Sequence, residues 1–171
     1  MTSSRPRLAL ALGLSALAAV SATLVGGGAQ AVTTPQCTNA DLHATYRHAD
    51  DAAGHSFGRI VLRNVSDHAC HTRGFGGLSY VGDGNGTQIG AAADRDHTTP
   101  VRTRTLEPGD RVRSLVDETR AGNFGRHRCR PAAVDGFRVY VPDASVSQFV
   151  PHATTGCRND AVHLISHRAY R

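Results

Sequence analysis

The chain has 171 residues, 40% of them hydrophobic, with 19 basic residues, 14 acidic ones and a formal net charge of +5. That balance is too mild to imply nucleic acid by itself. The absence of tryptophan excludes the Cys…Trp…Cys mark of antibody domains.

Arg5 and Arg7 open the chain with positive charge, Leu8 to Val25 is an apolar run, and Ala29-Gln30-Ala31 is a small-x-small cleavage signature. Together they predict a secretory signal peptide over residues 1–31. The mature chain would be residues 32–171, long enough for one domain with a core. Arg5 and Arg7 would leave with the leader, lowering the net charge from +5 to +3. No later segment is long and apolar enough to span a bilayer. Thr34-Pro35-Gln36, before Cys37, lacks the small apolar character of a lipoprotein signal, so the expected product is free and secreted.

Strand signals then follow one another. Asp41 to His48 alternates Leu42, Ala44 and Tyr46 against His43, Thr45 and Arg47. Asp50 to Gly54 reads as the loop into the stretch around which the chain is organised, Gly58 to Val81. There Ile60 and Leu62 take one side of a strand, with Arg59, Val61 and Arg63 on the other. Asn64 to Asp67 are turn formers, Gly74 to Gly77 suit a bend, and Leu78 to Val81 resumes an extended pattern. Gly82-Asp83-Gly84-Asn85-Gly86 signals a hairpin, with Thr87 to Gly90 returning. Ala91 to Thr99 reads as irregular, and Pro100 to Leu106 as extended up to the Glu107-Pro108-Gly109-Asp110 turn. Arg111 to Asp117 is the next strand, with Val112 and Leu115 as its core residues. Thr119 to Pro131 is a loop. Gly136 to Pro142 places Phe137, Val139 and Val141 on one face. Ser147 to Val150 is a short strand, and Ala161 to Ser166 the last. Seven to eight short strands without a helical apolar period predict an antiparallel β-sandwich.

All four cysteines, Cys37, Cys70, Cys129 and Cys157, lie beyond the leader. An even number in an exported chain predicts two disulfides, with three connectivities open. The sequential pairing, Cys37–Cys70 and Cys129–Cys157, is the expectation.

The same residues carry a family resemblance. Cys37 with Asp41-Leu42 after it, Val61-Leu62-Arg63-Asn64, and Cys70 before Gly74-Phe75-Gly76-Gly77 are its first pieces. The Leu106-Glu107-Pro108-Gly109 turn, Cys129 and Cys157 complete it. On these, the mature chain resembles the actinobacterial secreted family catalogued as domain of unknown function 4232. Members usually carry a proline in the glycine-rich bend, where this chain has Gly76 or Gly77. The resemblance implies an immunoglobulin-like β-sandwich and no established activity, so no catalytic residue carries over.

Chemistry-bearing motifs are few. His163 and His167, four apart, would lie about 13 Å apart along a strand, too far to share an ion. His68 and His71 flank a cysteine expected in a disulfide, so no metal site and no cofactor is expected. Asp83-x-Asn85-x-Thr87 lacks the glycine of a calcium loop and fits a turn. There is no Gly-x-Ser-x-Gly elbow. The two glutamates, Glu107 and Glu118, fall in a turn and at a strand end. Arginine spacing is the informative surface signal. Arg102 and Arg104 share a face of one strand, and Arg111 and Arg113 a face of the next. A hairpin through Leu106 to Asp110 would unite them as a basic patch for polyanions. The expected function is a secreted, non-enzymatic extracellular or cell-envelope binding or structural domain. Its partner would be an anionic cell-wall polymer or another extracellular protein, not nucleic acid. The alternative is a secreted hydrolase or enzyme inhibitor.

Overall fold

Alternating side chains sort this chain into two sheets that bury their apolar faces against each other. The computed structural model describes residues 33–171, besides Met1 and Thr2; the expected signal peptide and its cleavage site lie outside the described residues. Thr33–Arg171 is one compact unit.

The larger sheet has five strands, in the order β1 (Leu42–Ala52), β2 (His55–Asn64), β8 (Arg111–Thr119), β11 (Ile165–Arg168) and β6 (Asp94–Asp96). The facing sheet has four, in the order β10 (Ser147–Cys157), β9 (Pro131–Tyr140), β4 (Gly77–Gly82) and β5 (Thr87–Ala92). A two-stranded ladder joins β3 (Cys70–Arg73) to β7 (Thr103–Leu106). The pairs are antiparallel apart from β11 with β6. A 3₁₀ turn, Ala121–Asn123, and a single helical turn, α1 (Arg126–Cys129), lie between β8 and β9.

Leu42, Ile60, Leu62, Val112 and Val116 of the larger sheet and Leu78, Tyr80, Phe137, Val139 and Val150 of the smaller one are buried in one cluster. This is an all-β sandwich. Both predicted disulfides are present, Cys37–Cys70 and Cys129–Cys157. The first ties the segment before β1 to β3, and the second ties α1 to the end of β10.

Several expectations need correction. Among the described residues the strands number eleven. β1 runs on through Asp50 and Asp51 to Ala52, so the turn into β2 is only Ala53-Gly54; Gly54 adopts φ +77°, which a side chain would disfavour. The stretch expected to be irregular supplies β6, whose three residues lie parallel to β11. β10 is eleven residues long rather than four, because Pro151 falls at a register shift that leaves the strand intact. Leu115 is not a core residue. Period-two alternation turns Val112, Ser114, Val116 and Glu118 inward and Arg111, Arg113, Leu115 and Asp117 outward.

The expected hairpin of Arg102 and Arg104 with Arg111 and Arg113 does not form. Both edges of β8 are already taken, by β2 and β11, so β7 pairs with β3 instead. Asn64 directs this parting. Its backbone N–H donates to Asp110 O and its carbonyl accepts from Gly109, both at 2.9 Å. Its side-chain amide donates to Leu106 O at 2.9 Å and to His68 O at 2.9 Å.

One side chain closes a seam between the sheets. Gln148, on β10, receives the Ala44 N–H at 2.9 Å and donates to Leu42 O at 2.6 Å, as a neighbouring strand would.

Candidate functional site

The outer face of β1, β2 and β8 is a cationic groove of about 600 Å³. Register assembles it in rows. His43, Arg63 and Arg111 stand abreast; Thr45, Val61 and Arg113 form the next row; Arg47 and Arg59 stand beside Leu115 in the third. Successive rows are two residues apart, about 6.7 Å along the strands. All five arginines are exposed, and Val61 is half-buried between them. None of the eight residues lining the groove is acidic. Among the described residues, the arginines in ion pairs are Arg120, Arg158 and Arg168, none of which belongs to this face. Arg171 exchanges both backbone hydrogen bonds with Arg113 and so adjoins the middle row.

Of the four arginines singled out by spacing, the structure places Arg111 and Arg113 here. Arg104 lies on β7 opposite Thr72, and Arg102 just before that strand, away from this sheet. Arg47, Arg59 and Arg63 take their place. The signal for them was present in the alternation of β1 and β2, which sets arginines on the side opposite Ile60 and Leu62. What the sequence did not disclose was that β2, not β7, is the neighbour of β8.

A second polar constellation lies inside the sandwich. Glu118 ends the inward series of β8 and is buried, 4% exposed. Tyr46 Oη donates to its Oε1 at 2.8 Å. Its Oε2 accepts from Tyr80 Oη and is 2.8 Å from His152 Nε2. β1 and β8 thus join β4 and β10 across the interface through one carboxylate. The His152 ring stacks almost parallel on Phe137, centroids 4.7 Å apart. Gly58 of β2 leaves room for the Tyr46 phenol, which crosses where a Cβ would stand. Burial alone would push the Glu118 carboxyl up. The hydrogen bonds from His152, Tyr80 and Tyr46, with the charge of His152, outweigh it and hold the carboxyl below its usual range. Burial, then the charge of Glu118, raises both phenols well above theirs, which keeps them as donors. Beside this cluster is a cavity of about 480 Å³, with Ser56, Arg120 and Thr154 among its walls. Its place in the sequence marks Glu118 only as a strand-end residue; the parity of Val112, Ser114 and Val116 is the signal that it points inward.

The histidines are dispersed. His71 meets Thr34 O at 2.8 Å, and His163 meets Asp94 at 2.9 Å. His167 is buried against Ser114 Oγ at 3.2 Å. Asp83, in the turn between β4 and β5, pairs with Arg158.

These features define a cystine-tied β-sandwich with one strongly cationic sheet face. The chain belongs to the family described as Domain of unknown function (DUF4232), whose sequence profile matches residues 37–166. No curated protein and no solved structure matches it.

Proposed function

We propose that this protein is a secreted, non-enzymatic binding module of the cell envelope that holds anionic polymers on its arginine face. The observation that carries the reading is the set of five exposed guanidiniums on β1, β2 and β8, none of them in an ion pair among the described residues, with Arg59 at the border toward Asp50, Asp96 and Asp117. Arg47 faces Arg59 directly across strands, and Arg63 faces Arg111. Like charges in that relation cost stability. A polyanion would turn the repulsion into attraction, and guanidinium forks suit oxyanions. Two disulfides accord with an oxidising compartment.

A cavity beside the Glu118–His152 pair supports the second reading, a secreted hydrolase. Against it, three donors already occupy the two carboxylate oxygens, and no cysteine is free.

The test is co-sedimentation of the purified, oxidised protein with isolated cell walls across a salt series. Binding should weaken as salt rises and fall at least tenfold in the Arg59→Ala/Arg111→Ala/Arg113→Ala variant. An Arg102→Ala/Arg104→Ala variant should bind like the unmodified protein. No binding at low salt, or equal losses in both variants, would overturn the proposal.

A further inference from the structure

Accepting the polyanion reading of this face, the geometry points to one class of ligand, and we infer that it is a linear phosphodiester polymer bridged by small polyols. The chain of the ligand would run along the strands, obliquely from the β2–β8 seam to the β1–β2 seam. The argument starts from the spacing of charge. Cations recur in three rows: Arg63 with Arg111, then Arg113, then Arg47 with Arg59. Each step is two residues of extended backbone, about 6.7 Å. Two residues are six covalent bonds of chain. A phosphodiester polymer with a three-carbon bridge also has six bonds from one phosphorus to the next (two P–O, two O–C and two C–C). Near full extension such a polymer repeats its charge at close to the step between rows, so three successive phosphates come within reach of a guanidinium each.

Other polyanions fit less well. Inorganic polyphosphate has two bonds per repeat, so most of its charges fall between rows. Polyuronates separate their carboxylates by whole sugar rings, which bear no fixed relation to a two-residue step. Single-stranded nucleic acid shares the six-bond repeat but brings bases, and such sites use aromatic side chains as stacking platforms. The groove lining contains no Phe, Tyr or Trp; in the middle row, beside Arg113, its floor is Thr45 and Val61. These small side chains, lying between the two outer arginine pairs, leave room for a slim polyol-bridged chain and offer no stacking surface.

The anchoring also sets a length. The outer rows each present two facing guanidiniums, Arg63 and Arg111 across the β2–β8 seam and Arg47 and Arg59 across the β1–β2 seam, and each pair can grip one phosphate. The middle row presents Arg113 alone within the groove. Affinity should therefore climb steeply from one phosphate to three and then flatten, because the fourth phosphate lies beyond the last row.

The test is calorimetric titration of the whole oxidised protein with synthetic glycerol-phosphate oligomers of one to five phosphates. Inorganic polyphosphate, oligogalacturonate and oligothymidylate of matched charge serve as competitors in the same buffer. The expected result is a break at three phosphates and at least tenfold weaker binding of each competitor. Arg113→Ala should weaken the three-phosphate oligomer by more than fivefold while hardly changing the one-phosphate compound. Equal affinity for every polyanion, or affinity rising evenly through five phosphates, would overturn the inference and leave the polyanion reading standing. Preference for oligothymidylate would overturn it in favour of nucleic acid. Failure of every ligand at low salt would overturn both.

Discussion

Removing the negative charge of Glu118 should destabilise the sandwich, and the loss should depend on pH in a particular direction. The carboxylate accepts three hydrogen bonds, from Tyr46, Tyr80 and His152, at a 4% exposed position. Glu118→Gln keeps the shape but leaves one neutral acceptor oxygen and, in place of the other, an NH2 that cannot accept. Hydrogen bonds to a charged group are worth about 1.5–3 kcal/mol and neutral ones about 0.5–1.5 kcal/mol, so the bonds weakened at the remaining oxygen and lost at the NH2 cost about 3 kcal/mol in all. Relief from burying a charge offsets part of that, giving an expected net cost of about 2 kcal/mol. For a domain of this size, the melting temperature should drop by about 8 °C. Glu118→Ala strands three donors, Tyr80 buried and Tyr46 and His152 half-buried, and should cost about 3–5 kcal/mol. The carboxyl is held below its ordinary value in the fold, so its stabilising contribution is complete above the ordinary carboxylate range. It drains away as pH falls through the lowered value. Parent and Glu118→Gln should therefore differ most near pH 7 and converge as the pH falls below the ordinary carboxylate range. The assay is urea unfolding of both oxidised proteins at a series of pH values. Equal stability at pH 7, or a gap that stays constant into acid, would refute the reasoning.

Three further outcomes can be checked. Leu62→Ala, in the core, should cost about 2–5 kcal/mol, whereas Leu115→Ala on the outer face should cost less than about 1 kcal/mol; similar values in denaturant unfolding would contradict the parity of β2 and β8. Burial, reinforced by the charge of Arg95, pushes the His167 imidazole down to about 4. The neutral ring is the form the fold accepts, so His167 should lower stability progressively as pH falls from about 6.5 to 4, and an NMR titration midpoint above 6 would refute its placement. Replacing Cys129 and Cys157 together by serine should cost about 3–4 kcal/mol, read as a lower urea midpoint with the Cys37–Cys70 bond intact.

Much of this architecture could be read from alternation and punctuation. Ile60 and Leu62, or Phe137, Val139 and Val141, announce a buried face because a strand has only two sides. The Asp83 to Gly86 turn was legible because those residues tolerate positive φ. What resisted reading was pairing. Nothing local to Leu106 or Arg111 says that β8 has β2 and β11 as neighbours, since ladder partners are settled by contacts distant in sequence. The short edge strands β3 and β6 carry too few residues to show a period. The arginine face was half legible for the same reason: its rows are made across strands. Glu118 was harder still, because a glutamate in an inward position contradicts the usual pattern until its three donors, from three other strands, are in place.

The seam closed by Gln148 bears on self-association. A sandwich strand such as β1 that ends a sheet offers unpaired amides and carbonyls to any passing extended chain, the usual origin of edge-to-edge aggregation. Gln148 occupies one such donor and one such acceptor, at Ala44 and Leu42, with a side chain from the protein's own opposite sheet. The remaining outward length of β1 carries Arg47, His48, Asp50 and Asp51 in exposed positions. An amide plug at one end and charges along the other thus blunt the edge that borders the cationic face, so a bound polymer could crowd many copies together without their strands joining.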